Sequence, residues 1–226
     1  MQNLFGKNTH TRLAAAAATL LLCACAQQGY PSGGPKDTQS PVVKSATPAS
    51  GTTQFGKRQF LINFDEYVQV KDASSNILVS PPMKHKPDYT PKGKGLLVTI
   101  NDTLLENTTY LFQFRGGIVD FNEGNALSAY DYVFSTGSSI DSMTICGRVA
   151  EAFTAKPYKE DVTLLAYPDS AWTDSAVVLQ PPLYVTRCDK KGFFQFNHIR
   201  AGRYRIIALE DGDRNLRLGI DEASAF

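Results

Sequence analysis

Past residue 41 the chain switches character at every second residue. Phe60, Ile62 and Phe64 alternate with Leu61, Asn63 and Asp65; Tyr110, Phe112 and Phe114 alternate with Leu111, Gln113 and Arg115; Tyr130, Tyr132 and Phe134 alternate with Asp131 and Val133. A side-chain period of two belongs to a strand with unlike faces, one set for a core and the other for water. The runs are short, and turn clusters separate them at 48–51, 72–76, 91–95 and 122–125. That spacing suits antiparallel sandwiches and excludes a strand–helix alternation. The second half repeats the habit in Ile145, Gly147 and Val149, in Val162, Leu164 and Ala166, in Phe194 and Phe196, and in Tyr204, Ile206 and Ala208. Asp189-Lys190-Lys191-Gly192 predicts a hairpin turn, since glycine supplies the positive φ such a loop needs. Glycine and serine gather over 136–142, so the expected architecture is all-β: two β-sandwich domains, 41–137 and 142–226.

The amino-terminal end limits where such a chain works. Lys7, His10 and Arg12 precede an apolar stretch from Leu13 to Leu22 that is too short to span a bilayer, and Leu22-Cys23-Ala24-Cys25 follows. This is the layout of a cleaved secretory leader, and it resembles the lipobox of bacterial lipoproteins. The resemblance implies removal of residues 1–24 and lipid on Cys25; Cys23 suits poorly because bulky Leu22 precedes it. Residues 25–40, with Gly29, Pro31, Gly33, Gly34 and Pro35, read as a flexible linker. Each buried acyl methylene contributes about 0.8 kcal/mol, so two or three chains make the membrane a lasting partner. The lack of Asp directly after Cys25 resembles signals for the outer membrane, facing periplasm or cell surface.

Composition narrows the partners. Hydrophobic residues make up 42% and aromatics 11% of the 226 residues, enough to fill real cores, and a formal net charge of +1 leaves no field to collect nucleic acid. The one basic cluster, Lys84, His85, Lys86, Lys92 and Lys94, is threaded with Pro87, Pro91, Gly93 and Gly95 and reads as a long solvated loop. Cys146 and Cys188 remain once the leader is gone. In an oxidising compartment they either bridge or serve as separate small hydrophobes. Without a CxxC spacing or a nearby histidine, zinc has no support.

Longer motifs resemble known families. Pro48-Ala49-Ser50-Gly51, Ile62 to Val68, Leu104 with Asn107-Thr108-Thr109-Tyr110, Asp120 to Asn125 and Phe134-Ser135-Thr136-Gly137 are similar to the SbsA-type bacterial Ig-like domain. Gly147-x-Val149, Ala152, Lys156-Pro157, Val162-x-Leu164, Asp189 to Gly192 and Ala201-Gly202-Arg203-Tyr204 resemble a carboxypeptidase regulatory-like, or prealbumin-like, sandwich. Together with the lipobox they look like Ig-like domain lipoproteins of Bacteroidota-type bacteria. Members of that group extend past the position of Phe226, which implies truncation on the carboxy-terminal side. The resemblance implies a non-catalytic binding, adhesion or scaffold module for an envelope protein or glycan.

Individual residues have local roles to fill. Tyr110 should pack between sheets with its hydroxyl tied to backbone, as tyrosine corners do, and Asn107 and Gly124 look like turn residues. Asp65-Glu66 point to opposite faces of a strand and cannot flank one bond, so they read as a strand end that caps a loop. Asp120 and Glu123 should accept backbone hydrogen bonds within a turn. No GxSxG elbow, HExxH or phosphate loop occurs, and His85 and His198 stand apart from any nucleophile motif. The chain is therefore read as no enzyme; the second reading is an accessory or catalytic subunit of an envelope hydrolase of peptide or glycan.

Asp211, Asp213 and Asn215 take the first, third and fifth positions of a loop and Glu222 the twelfth, the ligand order of a calcium-binding hand. Leu216 stands where that turn wants glycine, so a self-capped polar hairpin is the competing reading. No other cofactor is expected. Asp102-Thr103-Leu104, Asp141-Ser142-Met143, Asp169-Ser170-Ala171 and Asp174-Ser175-Ala176 resemble an O-glycosylation signal of the same bacterial group. Trp172 either stacks on a sugar or pins its loop to the sandwich.

Overall fold

A computed structural model describes residues 34–156, 158 and 161–225. Cys25, its leader and residues 25–33 of the linker lie outside these. From Thr38 onward the residues form one compact unit.

The first half holds β1 (Val43–Thr47), β2 (Gln59–Phe64), β3 (Val68–Val70), the single turn α1 (Ala73–Asn76), β4 (Ile77–Ser80), β5 (Asp88–Lys92), β6 (Gly95–Thr99), β7 (Thr109–Phe114), β8 (Ile118–Asp120) and β9 (Tyr130–Ser135). They make antiparallel sheets in the orders β1-β2-β6-β5 and β4-β7-β9, with β3 and β8 as a short ribbon. The apolar members of each alternating run meet between the sheets: Phe60 stacks on Tyr132 with ring centroids 4.0 Å apart and meets Phe112 edge-on at 5.1 Å. Such pairs add about 0.5–1.5 kcal/mol each beyond the area they bury.

The expected loop over 84–95 is partly a strand. β5 pairs with β6 from Asp88↔Thr99 to Lys92↔Gly95, and Pro91 sits opposite Leu96. Proline has no N–H for a ladder, but β5 lies at the sheet edge, where none is required on its outer side.

The second half holds β10 (Met143–Arg148), β11 (Thr163–Pro168), a 3-10 turn (Asp169–Ala171), the single turn α2 (Ala176–Leu179), β12 (Tyr184–Arg187), β13 (Phe193–Ile199), β14 (Tyr204–Leu209) and β15 (Ser224–Ala225). Its sheets run β12-β11-β14-β15 and β10-β13. Leu164, Ala166, Tyr184, Phe196 and Ile199 fill the space between them. The other face of β11 is buried too, with Leu165, Tyr167, Val185, Ile207 and Leu209 covered by Ala176 and Val177 of α2 and by Leu78 of β4. The Asp- and Ser-rich stretch is thus a cover for the sheet. Trp172 pins it, edge-on to Tyr167 at 5.6 Å, with the Arg205 guanidinium 5.3 Å from its ring and that arginine bonded to Asp169 at 2.9 Å.

β7 shows the same effect. Its alternation assigns Leu111 and Gln113 to water, yet every β7 residue is buried, because β12 and β13 of the second half lie against β4 and β7.

Candidate functional site

The seam between the halves is built from few residues. Leu78, 8% exposed, leaves its own sheet's core and packs into that of the second half. Beside it the Val185 N–H donates to Ser80 Oγ at 3.1 Å. Arg187 reaches across from the end of β12 to donate to the Ser75 carbonyl, and Arg115 returns a bond to the Arg187 carbonyl at 3.2 Å. Desolvation is the main influence on Arg187 and lowers its pKa, with the Asp161 charge opposing. At the other end of the seam Arg200 donates to the Asn107 carbonyl, and Asp141, from the 136–142 connection, bonds Thr109 Oγ1 at 2.9 Å. Asn107, two residues ahead of β7, has φ +48°.

A cleft of about 920 Å³ opens along this seam. Pro81, Met83 and Lys84 line it from the first half and Tyr167, Pro182 and Arg217 from the second, with further cations from Lys86 and Arg214 and the carboxylate of Asp102. Apolar walls with a cationic rim suit a partner that carries both ring or alkyl surface and negative charge. His85 Nδ1 lies 3.4 Å from Asp102 Oδ1 at this rim. Among the described residues no hydroxyl or thiol is bonded to that imidazole, so the pair lacks the nucleophile a triad needs.

Cys146 and Cys188 are free thiols in the structure. Cys146 lies on β10 opposite Gln195, whereas Cys188 follows β12 in the other sheet and donates its N–H to Val162. Both border one open recess with Arg148, Arg187 and Phe193.

The acidic loop does converge: ligand atoms of Asp211, Asp213 and Glu222 lie within 4.8 Å of one another. Asp211 accepts from the backbone of Asn215 at 3.0 Å and Leu216 at 3.2 Å, and Glu222 accepts from Gly212 at 2.9 Å and Gly219 at 2.8 Å. Asn215 offers its side-chain oxygen to the Arg217 N–H and its amide to Asp213. A hard cation would have to share oxygens already committed to closing the turn. Burial raises the Asp211 pKa most, the N–H groups of Leu216 and Asn215 oppose it, and the charges of Glu222 and Asp213 add to the rise.

The remaining single-residue expectations have clear outcomes. Tyr110 is buried, stacks on Phe134 at 5.4 Å, and its hydroxyl accepts from the Leu105 N–H at 2.8 Å, a tyrosine corner. Asp65 accepts from the Val42 N–H at 2.8 Å. Asp120 accepts from Glu123, Gly124 and Asn125, whereas the turn uses the Glu123 backbone rather than its side chain. The seam itself was not foreseen. Its one sequence signal is arginine at strand ends, at 115, 187 and 200, which periodicity does not weigh.

No curated protein matches the chain. Among solved structures, the chain is similar to the N-terminal part of the bacterial S-layer protein SbsC at 14% identity, covering 89% of this chain and 44% of that one, with a TM-score of 0.30. Two further SbsC structures, rSbsC(31-844) and domains 1-6, match at 15% and 13% identity over 90% of this chain and 26% and 35% of theirs, with TM-scores of 0.28 and 0.29. The chain therefore spans less than half the length of each. Residues 37–136, which include β1 to β9, match the family described as bacterial Ig-like domain.

Proposed function

We propose that the protein is a non-catalytic module of the cell envelope, held to the outer membrane by lipid on Cys25, and that it binds or braces an envelope protein or glycan. The seam carries this reading. Two beads on a string would each close their own core, whereas here Leu78 and Arg187 tie one sandwich to the next as a stiff strut is tied. An Ig-like domain in first position suits a spacer that holds another surface at a set distance. The first sandwich is read more finely as SbsA-type and the second as carboxypeptidase regulatory-like. The cleft along the seam is the face offered to the partner, its cationic rim selecting one with carboxylates or phosphates.

Intact-mass measurement of the protein recovered from its native membrane tests the placement. The expected mass starts at Cys25 and includes two or three acyl chains; a retained leader or a bare terminus would overturn it. Turnover of peptide, ester or glycoside substrates by the same preparation would overturn the non-catalytic part and favour the hydrolase subunit.

A further inference from the structure

At one end of the Ig-like half two large aromatic residues face water together. Tyr67 is 59% exposed and Phe121 63% exposed. Val68 pairs with Asp120 in the β3–β8 ribbon, and the Phe121 N–H donates to the Tyr67 carbonyl at 3.0 Å, so the two residues are direct cross-strand neighbours on the next rung. The Cβ atoms of opposed residues on one rung stand about 5 Å apart and on the same face. A lone exposed ring needs no explanation, but a fixed pair does. The pair is fixed from behind: Asp120 is buried, and its carboxylate holds the N–H groups of Glu123, Gly124 and Asn125, which sets the turn after Phe121.

The same tip receives the chain from its amino-terminal side. Val42, itself half exposed, exchanges backbone and side-chain bonds with Asp65. Lys94 donates to the Asp65 carbonyl at 2.7 Å, and its ammonium lies 5.9 Å from the centre of the Tyr67 ring. Val42, Asp65, Lys94, Tyr67 and Phe121 thus form one continuous surface where the linker enters the fold. About 17 residues separate Cys25 from Val42, a length that cannot exceed roughly 60 Å fully extended.

We propose that this tip is a lipid-contact surface that lays the Ig-like half against the bilayer to which Cys25 is fixed; the inference rests on the acylation reading above. The occupant follows from the chemistry. Tyrosine and phenylalanine beside a lysine are the residues that settle at a membrane–water interface, with rings among the upper acyl chains and charge at the headgroups. Glu66 and Glu123 flank the tip, so attraction to anionic lipid is not the driving force. The rings supply it. A tether that enters the fold at this tip keeps the membrane close to it and lowers the entropic cost of contact.

The test uses the natively processed protein in phosphatidylcholine vesicles made with and without brominated acyl chains. The parent has a single tryptophan, Trp172, in the second half, and serves as the reference. In Phe121→Trp, the added emission should be blue-shifted and quenched on the order of twofold by brominated lipid, while Trp172 in the parent is unchanged. Protein that floats with the vesicles but shows no such quenching would retain the anchor and overturn the tip. A blue shift on addition of a soluble glucan, with no quenching by lipid, would assign the rings to a sugar and overturn it equally. Protein that fails to float at all would remove the acylation reading and this inference with it.

Discussion

Two glycines of positive φ separate backbone freedom from close approach. Gly93, φ +59°, turns the β5–β6 hairpin with open space around it, whereas a Cβ on Gly192, φ +81°, would stand 2.3 Å from the Val149 carbonyl oxygen. The Val149 N–H donates to the Gly192 carbonyl at 2.8 Å, so the hairpin turn is laced to the end of β10 and has no room to retreat. Gly93→Ala should cost about 1 kcal/mol, the conformational penalty alone. Gly192→Ala adds a backbone collision and should cost about 2–3 kcal/mol. Thermal unfolding of the two variants checks the order, and equal losses would remove the argument from close approach. Both turns were readable in the sequence, because Gly within a polar cluster has one main use there. What the sequence did not carry was that Val149, more than forty residues away, is the wall.

Strands tell the same story one level up. Alternation in β2 and β9 gave the inward residues correctly, Phe60, Ile62, Phe64, Tyr132 and Phe134, since those strands use one face for the core. It misplaced Leu111 and Gln113 of β7 and half of β11, because periodicity records which face is apolar within a sheet and not what later covers the other. Tyr110 and Asp120 were legible as local devices; Arg187 was not, since its partner Ser75 lies in the other half. Leu78 is the decisive element-level residue. Truncating a buried leucine costs about 2–5 kcal/mol, and here the void opens in the second half's core although the mutation lies in the first. Leu78→Ala should therefore lower the stability of both halves: in calorimetry the parent should unfold in one transition, and the variant in a divided or broadened one. If the second half's transition kept its midpoint, the shared core would not be the coupling element.

For the molecule as a whole, acid is the informative perturbation. The Val42 N–H chiefly holds Asp65 below the ordinary carboxylate value. At Asp102 and Asp120 burial pushes the pKa up, but the backbone N–H groups of His85 and Lys84, and of Glu123, Asn125 and Gly124, outweigh it and leave both lowered. A carboxyl lowered in the folded state contributes stability that is present above its unfolded pKa, about 3.9, and is lost as pH falls through the folded value. Asp131 and Asp211 are raised, chiefly by burial. Their sign is opposite: their contribution is complete below about 3.9 and is lost as pH rises through the raised value. The two sets oppose each other on acidification, and the lowered set governs because it secures the chain's entry, the loop after β6 and the turn behind Phe121. Urea midpoints should fall below about pH 4. Asp120→Asn should flatten that acid limb, since the amide cannot titrate, while Asp211→Asn should steepen it by removing an opposing term. A limb unchanged in both variants would place acid sensitivity elsewhere in the fold. A flattened limb in Asp120→Asn, with a lower neutral plateau, would show that the carboxylate holding the aromatic tip in shape also sets the pH at which the whole unit opens.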